Sequence, residues 1–283
     1  MSGFDVTVIV DWSARSAPSP KKPTKDAIFI AVAEADRVEV SYYRTRAEAV
    51  AALQIIFDAA LANGRRVLAG FDFPFGYPKG FAEAVTGQAD VFALWEWLSD
   101  KIKDADDNRN NRFDVAEQVN RMFPGIGPFW GCPAGRATLT LPMKGNLRRG
   151  HGMPERRRIE DQLRTAQPCW KLFTTGSVGS QVLLGLPRLQ GLRRRYGSQL
   201  AVRPFETRDA PIVLAEIYPS LLADEVRRQQ RGDEILDAAQ VRVLAQAFAR
   251  VDGLEDMLCE GDKEEGWIAG WGHQDALTRA ARW

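Results

Sequence analysis

Three apolar runs in this chain end on an acid. Residues 6–10, Val-Thr-Val-Ile-Val, lead into Asp11; residues 67–71 lead into Asp72; residues 212–215 lead into Glu216. A fourth acid, Asp275, stands near the start of a short helical pattern close to the C-terminal end. A run without polar alternation reads as a strand covered on both faces, as at the centre of a largely parallel sheet. A carboxylate at its end sits at the rim of the core and needs water, a donor or a cation. Singly, each acid has a plain explanation, such as Asp11 capping a turn. Jointly they point to one place, because neighbouring parallel strands open on a common crevice. Clustered carboxylates repel one another and rise in pKa unless a hard cation neutralises them. Mg2+ or Mn2+ suits oxygen ligands. Asp11, Asp72, Glu216 and Asp275 are therefore expected to serve as catalytic groups and as metal ligands. Two such ions about 4 Å apart would clamp the attacking and leaving oxygens of a phosphodiester and activate a bound water. The expected reaction is hydrolysis of a phosphate ester.

The substrate side has fewer signals. Gly176-Ser177-Val178-Gly179-Ser180 opens a helical pattern, and free N–H groups at such a start can seat an anion. No lysine follows the last glycine as a phosphate loop requires, so Gly176, Ser177, Gly179 and Ser180 are either a phosphate seat or a capped turn. From Arg136 to Arg164 there are eight Arg or Lys against three Asp or Glu, a local charge of +5. That stretch is either a solvated face or a wall, begun by Arg136, against an anionic substrate. Ser13 could ligate a phosphate or close an ST-turn. His273 is an acid–base candidate or a helix cap. Phe123, Phe129, Trp130 and Trp170 could stack bases or fill the core.

The elements that must position these residues follow from periodicity. Strands are expected at 6–10, 27–33, 37–44, 67–72 and 212–215, with a tight turn at 34–36 joining the second to the third. Residues 46–63 carry Val50, Leu53, Ile56, Phe57 and Leu61 on one helical face before Gly64. Further helices are expected over 182–195, with a break near Pro187, and over 233–251. From about Gly80 the chain turns aromatic, arginine-rich and broken by Gly and Pro, which reads as a large helical and basic insertion over 80–200 within one domain of 1–283.

Composition excludes more than it selects. With 38 basic against 37 acidic side chains, net charge names no partner and argues against strong nonspecific nucleic-acid binding. Three scattered cysteines form neither a disulfide framework nor a zinc motif. No apolar run approaches 18 residues and no secretory pattern opens the chain, so a cytoplasmic protein away from the membrane is expected.

The order "VIVDWSA", a hairpin, a helix, "GFDFPFGYP", a long insertion, "AEIYPS" and a final "QDALTRAA" resembles the uncharacterised family of predicted RNase H-like nucleases over nearly the whole chain. The resemblance implies an α/β, ribonuclease H-like mixed sheet whose first three strands are antiparallel, flanked by helices. It also implies acidic positions at Asp11, Asp72, Glu216 and Asp275, and a nucleic acid or small phosphorylated molecule as substrate. Two other classes stay open: an actin- or sugar-kinase-like phosphotransferase, and a binding module on the same fold without catalysis.

Overall fold

In a computed structural model that describes residues 3–163 and 165–282, the chain builds a mixed six-stranded sheet between two layers of helices. Strands β1 (Val6–Asp11), β2 (Ile28–Glu34) and β3 (Arg37–Tyr43) form an antiparallel meander. Helix α1 (Arg46–Ala62) returns the chain to β4 (Val67–Phe71), which pairs parallel with β1. The insertion supplies α2 (Phe81–Thr86), α3 (Val91–Lys101), α4 (Arg112–Asn120), α5 (Arg158–Gln162) and α6 (Gly179–Tyr196). Arg164, last of the basic stretch, lies outside the described residues. Strands β5 (Leu200–Val202) and β6 (Ile212–Glu216) complete the order β3-β2-β1-β4-β6-β5, with β6 parallel to both β4 and β5. Helices α7 (Ala223–Gln229), α8 (Leu236–Arg250), α9 (Leu254–Cys259) and α10 (Gln274–Ala280) follow.

The absence of polar alternation in β1 has the expected cause. Val6, Val8 and Val10 pack with Leu53 and Phe57 of α1 on one face, while Ile9 packs with Val243, Leu244 and Phe248 of α8 on the other. Helix α1 starts on a capping box, Thr45 accepting from the Glu48 N–H and Glu48 from the Thr45 N–H, and buries Ala49, Leu53, Phe57 and Ala60 as one stripe. Three boundaries differ from expectation. Helix α6 begins at Gly179 and runs through Pro187 without ending there, held by Leu183, Leu184 and Leu186 in the core. Helix α8 begins at Leu236, and the three-residue β5 carries too little pattern to be seen in sequence. None of the described helices is long and apolar enough to cross a membrane.

Candidate functional site

The ends of β1, β4 and β6 open on a cleft of about 750 Å3 lined by Asp11, Asp72, Glu216, Asp237 and the loop 174–178. Strand register decides which acids share a side. Val10, Phe71 and Glu216 lie in one row across the sheet, since Val10 pairs with Phe71 and Phe71 with Glu216. Asp11 and Asp72 come one residue later, and successive side chains alternate between faces. Asp11 therefore turns toward α8, as Ile9 does, while Glu216 turns toward the insertion, as Leu214 does. On β6 the residue level with Asp72 is Ile217, packed with the α8 layer.

Asp11 is 9% exposed and its carboxylate accepts no hydrogen bond among the described residues. Burial pushes its pKa well up, and the neighbouring charges of Asp72, Asp237 and Asp26 push it further. Asp72 is raised from 3.8 to about 7, mainly by burial; the Trp12 N–H, 2.7 Å from its Oδ1, works against the rise and Asp237 adds to it. The third acid of the group is Asp237, in the first turn of α8. Burial raises its pKa as well, opposed by the Asp26 N–H at 2.8 Å from Oδ2. Packing of α8 across β1 and β2 brings this residue over the end of β1.

Neighbouring structure holds the pair from below. Phe73 and Phe75, which follow Asp72, are buried; a Cβ on Gly185 of α6 would stand 2.3 Å from the Phe73 ring, so only glycine lets α6 lie there. On the Asp11 side, the fully buried Arg46 donates to the carbonyls of Ser13 at 3.0 Å and Arg15 at 2.8 Å, and its guanidinium is gripped by Asp104 at 2.5 and 2.8 Å. Ser13 donates to the Asp26 carbonyl at 2.7 Å and accepts from the Arg15 N–H at 3.4 Å, which is the ST-turn reading of that residue.

Two of the four expected acids do not join. Glu216 lines the cleft, but Arg157 donates to its oxygens at 2.6 and 2.8 Å and the Phe75 N–H at 2.9 Å. Burial alone would push Arg157 down, yet the charges of Glu216 and Glu160 outweigh it and hold the guanidinium protonated. Asp275 is exposed in the first turn of α10 and does not line the cleft; His273 before it pairs with Glu260 at 3.1 Å. Arg136 is likewise outside the cleft, paired with Asp114 at 2.9 Å. Of the expected anion seat, Gly176, Ser177 and Ser180 line the cleft. The Ser180 hydroxyl, however, donates to the Leu172 carbonyl at 2.5 Å and accepts from Arg112 at 2.8 Å. Gly179 is set back, its N–H on the Lys171 carbonyl at 3.0 Å, and a Cβ there would sit 2.3 Å from the Cys169 carbonyl oxygen. Phe129 and Trp170 are core residues.

Sequence reading missed Asp237, together with Arg15, Lys25 and Arg112, which line the cleft beside Arg157. Burial lowers Arg112 to about 10, with the Arg46 charge adding to the drop. An acid in the first turn of a helix reads as dipole compensation; the signal for Asp237 was its place at the head of the apolar face of α8.

Among the described residues no group of three or more His, Cys, Asp or Glu side chains is set to enclose a metal ion. A closed protein cage is therefore not what this cleft offers. An open site is a different matter, since Mg2+ is held by one or two carboxylates with waters and substrate phosphate completing its shell. Asp11, buried without a donor beside a second raised carboxyl, fits that arrangement. What fold and site define together is an α/β protein with an acid-floored, cation-walled cleft at the ends of its parallel strands. Comparison with family models, with curated proteins and with solved structures gives no match to this chain.

Proposed function

We propose that this protein is a metal-dependent hydrolase of phosphate esters, of the nuclease or phosphodiesterase kind, built on a ribonuclease H-like fold. The strand order, with an antiparallel meander followed by a parallel fourth strand, supports the fold assignment. The observation that carries the activity is the buried, donorless Asp11 beside Asp72, a pair whose charges raise the demand for a cation.

In this reading Asp11 and Asp72 hold Mg2+ or Mn2+. Such an ion, when bound, offsets charge on the phosphoryl oxygens and lowers the pKa of water. The chain's own residues do the rest. The Trp12 N–H fixes Oδ1 of Asp72 and so orients the carboxylate that would hold such an ion. Asp237, with one oxygen fixed by Asp26 and its proton affinity raised, takes the proton from the attacking water. Arg15, Lys25 and Arg112 draw the anionic substrate in and hold it against the acids. Substrates of this chemistry include nucleic acids and smaller phosphorylated molecules.

The test is hydrolysis of bis(4-nitrophenyl) phosphate and of short single-stranded oligonucleotides by the full chain in Mg2+ and in Mn2+. Turnover that is abolished by chelation and falls at least about 100-fold in Asp11→Asn and in Asp72→Asn is the expected result. Metal-independent turnover, or variants as active as the parent, overturns the proposal.

A further inference from the structure

The cleft has an aromatic edge that phosphate hydrolysis alone does not use. Of fourteen phenylalanines, Phe173 is the one with an exposed side chain among the described residues, at 41%. It borders the same cleft as Asp11, Asp72 and Asp237. A single exposed apolar side chain is ordinary by itself; this one is held in place from several directions. The preceding Leu172 is buried, with its N–H on the Trp130 carbonyl at 2.9 Å and its carbonyl on the Ser180 hydroxyl at 2.5 Å. The Phe113 ring meets Phe173 edge-on at 6.4 Å, and Arg112 stacks on Phe113 at 4.5 Å. The next residue, Thr174, adopts φ 77°, a left-handed conformation that is unfavourable for a β-branched side chain and is found where surrounding structure imposes it. Its carbonyl accepts the Ser177 N–H at 3.2 Å, and Lys171 donates to the Thr175 carbonyl at 2.7 Å. The ring is thus displayed from a fixed backbone at the rim of the cleft that Arg15, Lys25 and Arg112 line together with the acids.

We propose that Phe173 is a stacking platform for a nucleobase, so that the cleft selects phosphate esters carrying a base over sugar or glycerol phosphates. The inference rests on the phosphate-ester reading for the anionic half of the ligand, while the ring contact is read by binding alone. Aromatic stacking tolerates any base, since each presents a π-face. Phe173 is then a specificity-determining residue that takes no part in the chemistry.

Calorimetric titration tests this with the full parent chain in Mg2+, against adenosine 5′-monophosphate and ribose 5-phosphate, monoesters that a phosphodiesterase leaves intact. The nucleotide is expected to bind about 5- to 150-fold tighter than the base-free phosphate. Phe173→Ala should bring that ratio near one, and Phe173→Trp should retain it; circular dichroism establishes that each is folded. Equal affinity for the two probes, a ratio untouched by Phe173→Ala, or no binding of either at millimolar concentration overturns the inference. If no metal supports hydrolysis by the parent while the ratio persists and depends on Phe173, the hydrolase reading falls and the base platform stands. Hydrolysis without any preference for the base overturns the platform and leaves the hydrolase reading in place.

Discussion

Replacing Asp72 by asparagine should make the cation-free protein more stable and inactive. Asparagine matches the carboxylate in shape, and its Oδ1 can still accept the Trp12 N–H, which lies 2.7 Å from the carboxylate oxygen in the parent, so the substitution removes charge and little else. The carboxyl is raised from 3.8 to about 7 by burial, with Asp237 adding to it. A carboxyl that titrates higher in the folded chain favours folding below its unfolded pKa, and that contribution is lost as pH rises through the folded value. Relative to Asp72→Asn, the parent should therefore lose stability between pH of about 4 and about 7 and hold level above that. A rise of that size corresponds to a ceiling of about 4 kcal/mol. Relaxation of the cleft and entry of water reduce it, and we expect about 2 kcal/mol at pH 8, or a melting temperature higher by about 5 °C. Differential scanning fluorimetry of both chains in EDTA, from pH 4 to 9, reads it directly. Mn2+ should then raise the melting temperature of the parent more than that of the variant. A variant that melts at or below the parent at pH 8, or a gap independent of pH, would refute the electrostatic account of the pair.

Other outcomes follow from the same geometry. Arg157→Ala leaves Glu216 and Glu160 charged and buried without their partner, and should cost about 3–5 kcal/mol in urea denaturation; replacing Arg157, Glu160 and Glu216 together by Met, Gln and Leu should recover most of it. Gly185→Ala drives a methyl against the Phe73 ring and should cost about 1–3 kcal/mol by the same measurement. Asp237→Asn should lower the turnover of an active preparation by about 100-fold or more and remove the acid limb that this raised carboxyl gives the pH profile, whereas Asp275→Asn should change neither.

Much of the sheet was legible because its signals are local. Apolar runs, the turn at 34–36 and the capped alanine-rich helix each carry their pattern within about ten residues, and each occurs within a residue or two of its expected span. Where local patterns misled, tertiary packing had decided. Pro187 reads as a break, yet α6 continues through it because the flanking leucines are buried on both turns. Asp11 and Asp72 were legible as a pair for the same local reason, each ending a strand of a parallel couple whose register makes them level.

Glu216 shows what strand-end spacing alone cannot carry. It ends β6 as Asp11 ends β1, but it stands in the row of Val10 and Phe71, one residue short of the acids, and a shift of one residue in a strand moves a side chain to the opposite face. On that face it meets the insertion, whose Arg157 also bonds Glu160 of α5 and the Glu265 carbonyl at 3.0 Å, so that its carboxylate is committed although it lines the cleft. The third position on the α8 side falls to Asp237, delivered by a helix rather than a strand. One face of the sheet edge thus presents Asp11, Asp72 and Asp237, none of them in an ion pair among the described residues, while the other commits its carboxylate to an arginine that docks the insertion. The charge that is neutralised internally fastens the wall of the cleft, and the proposed chemistry rests on the carboxylates of the other face.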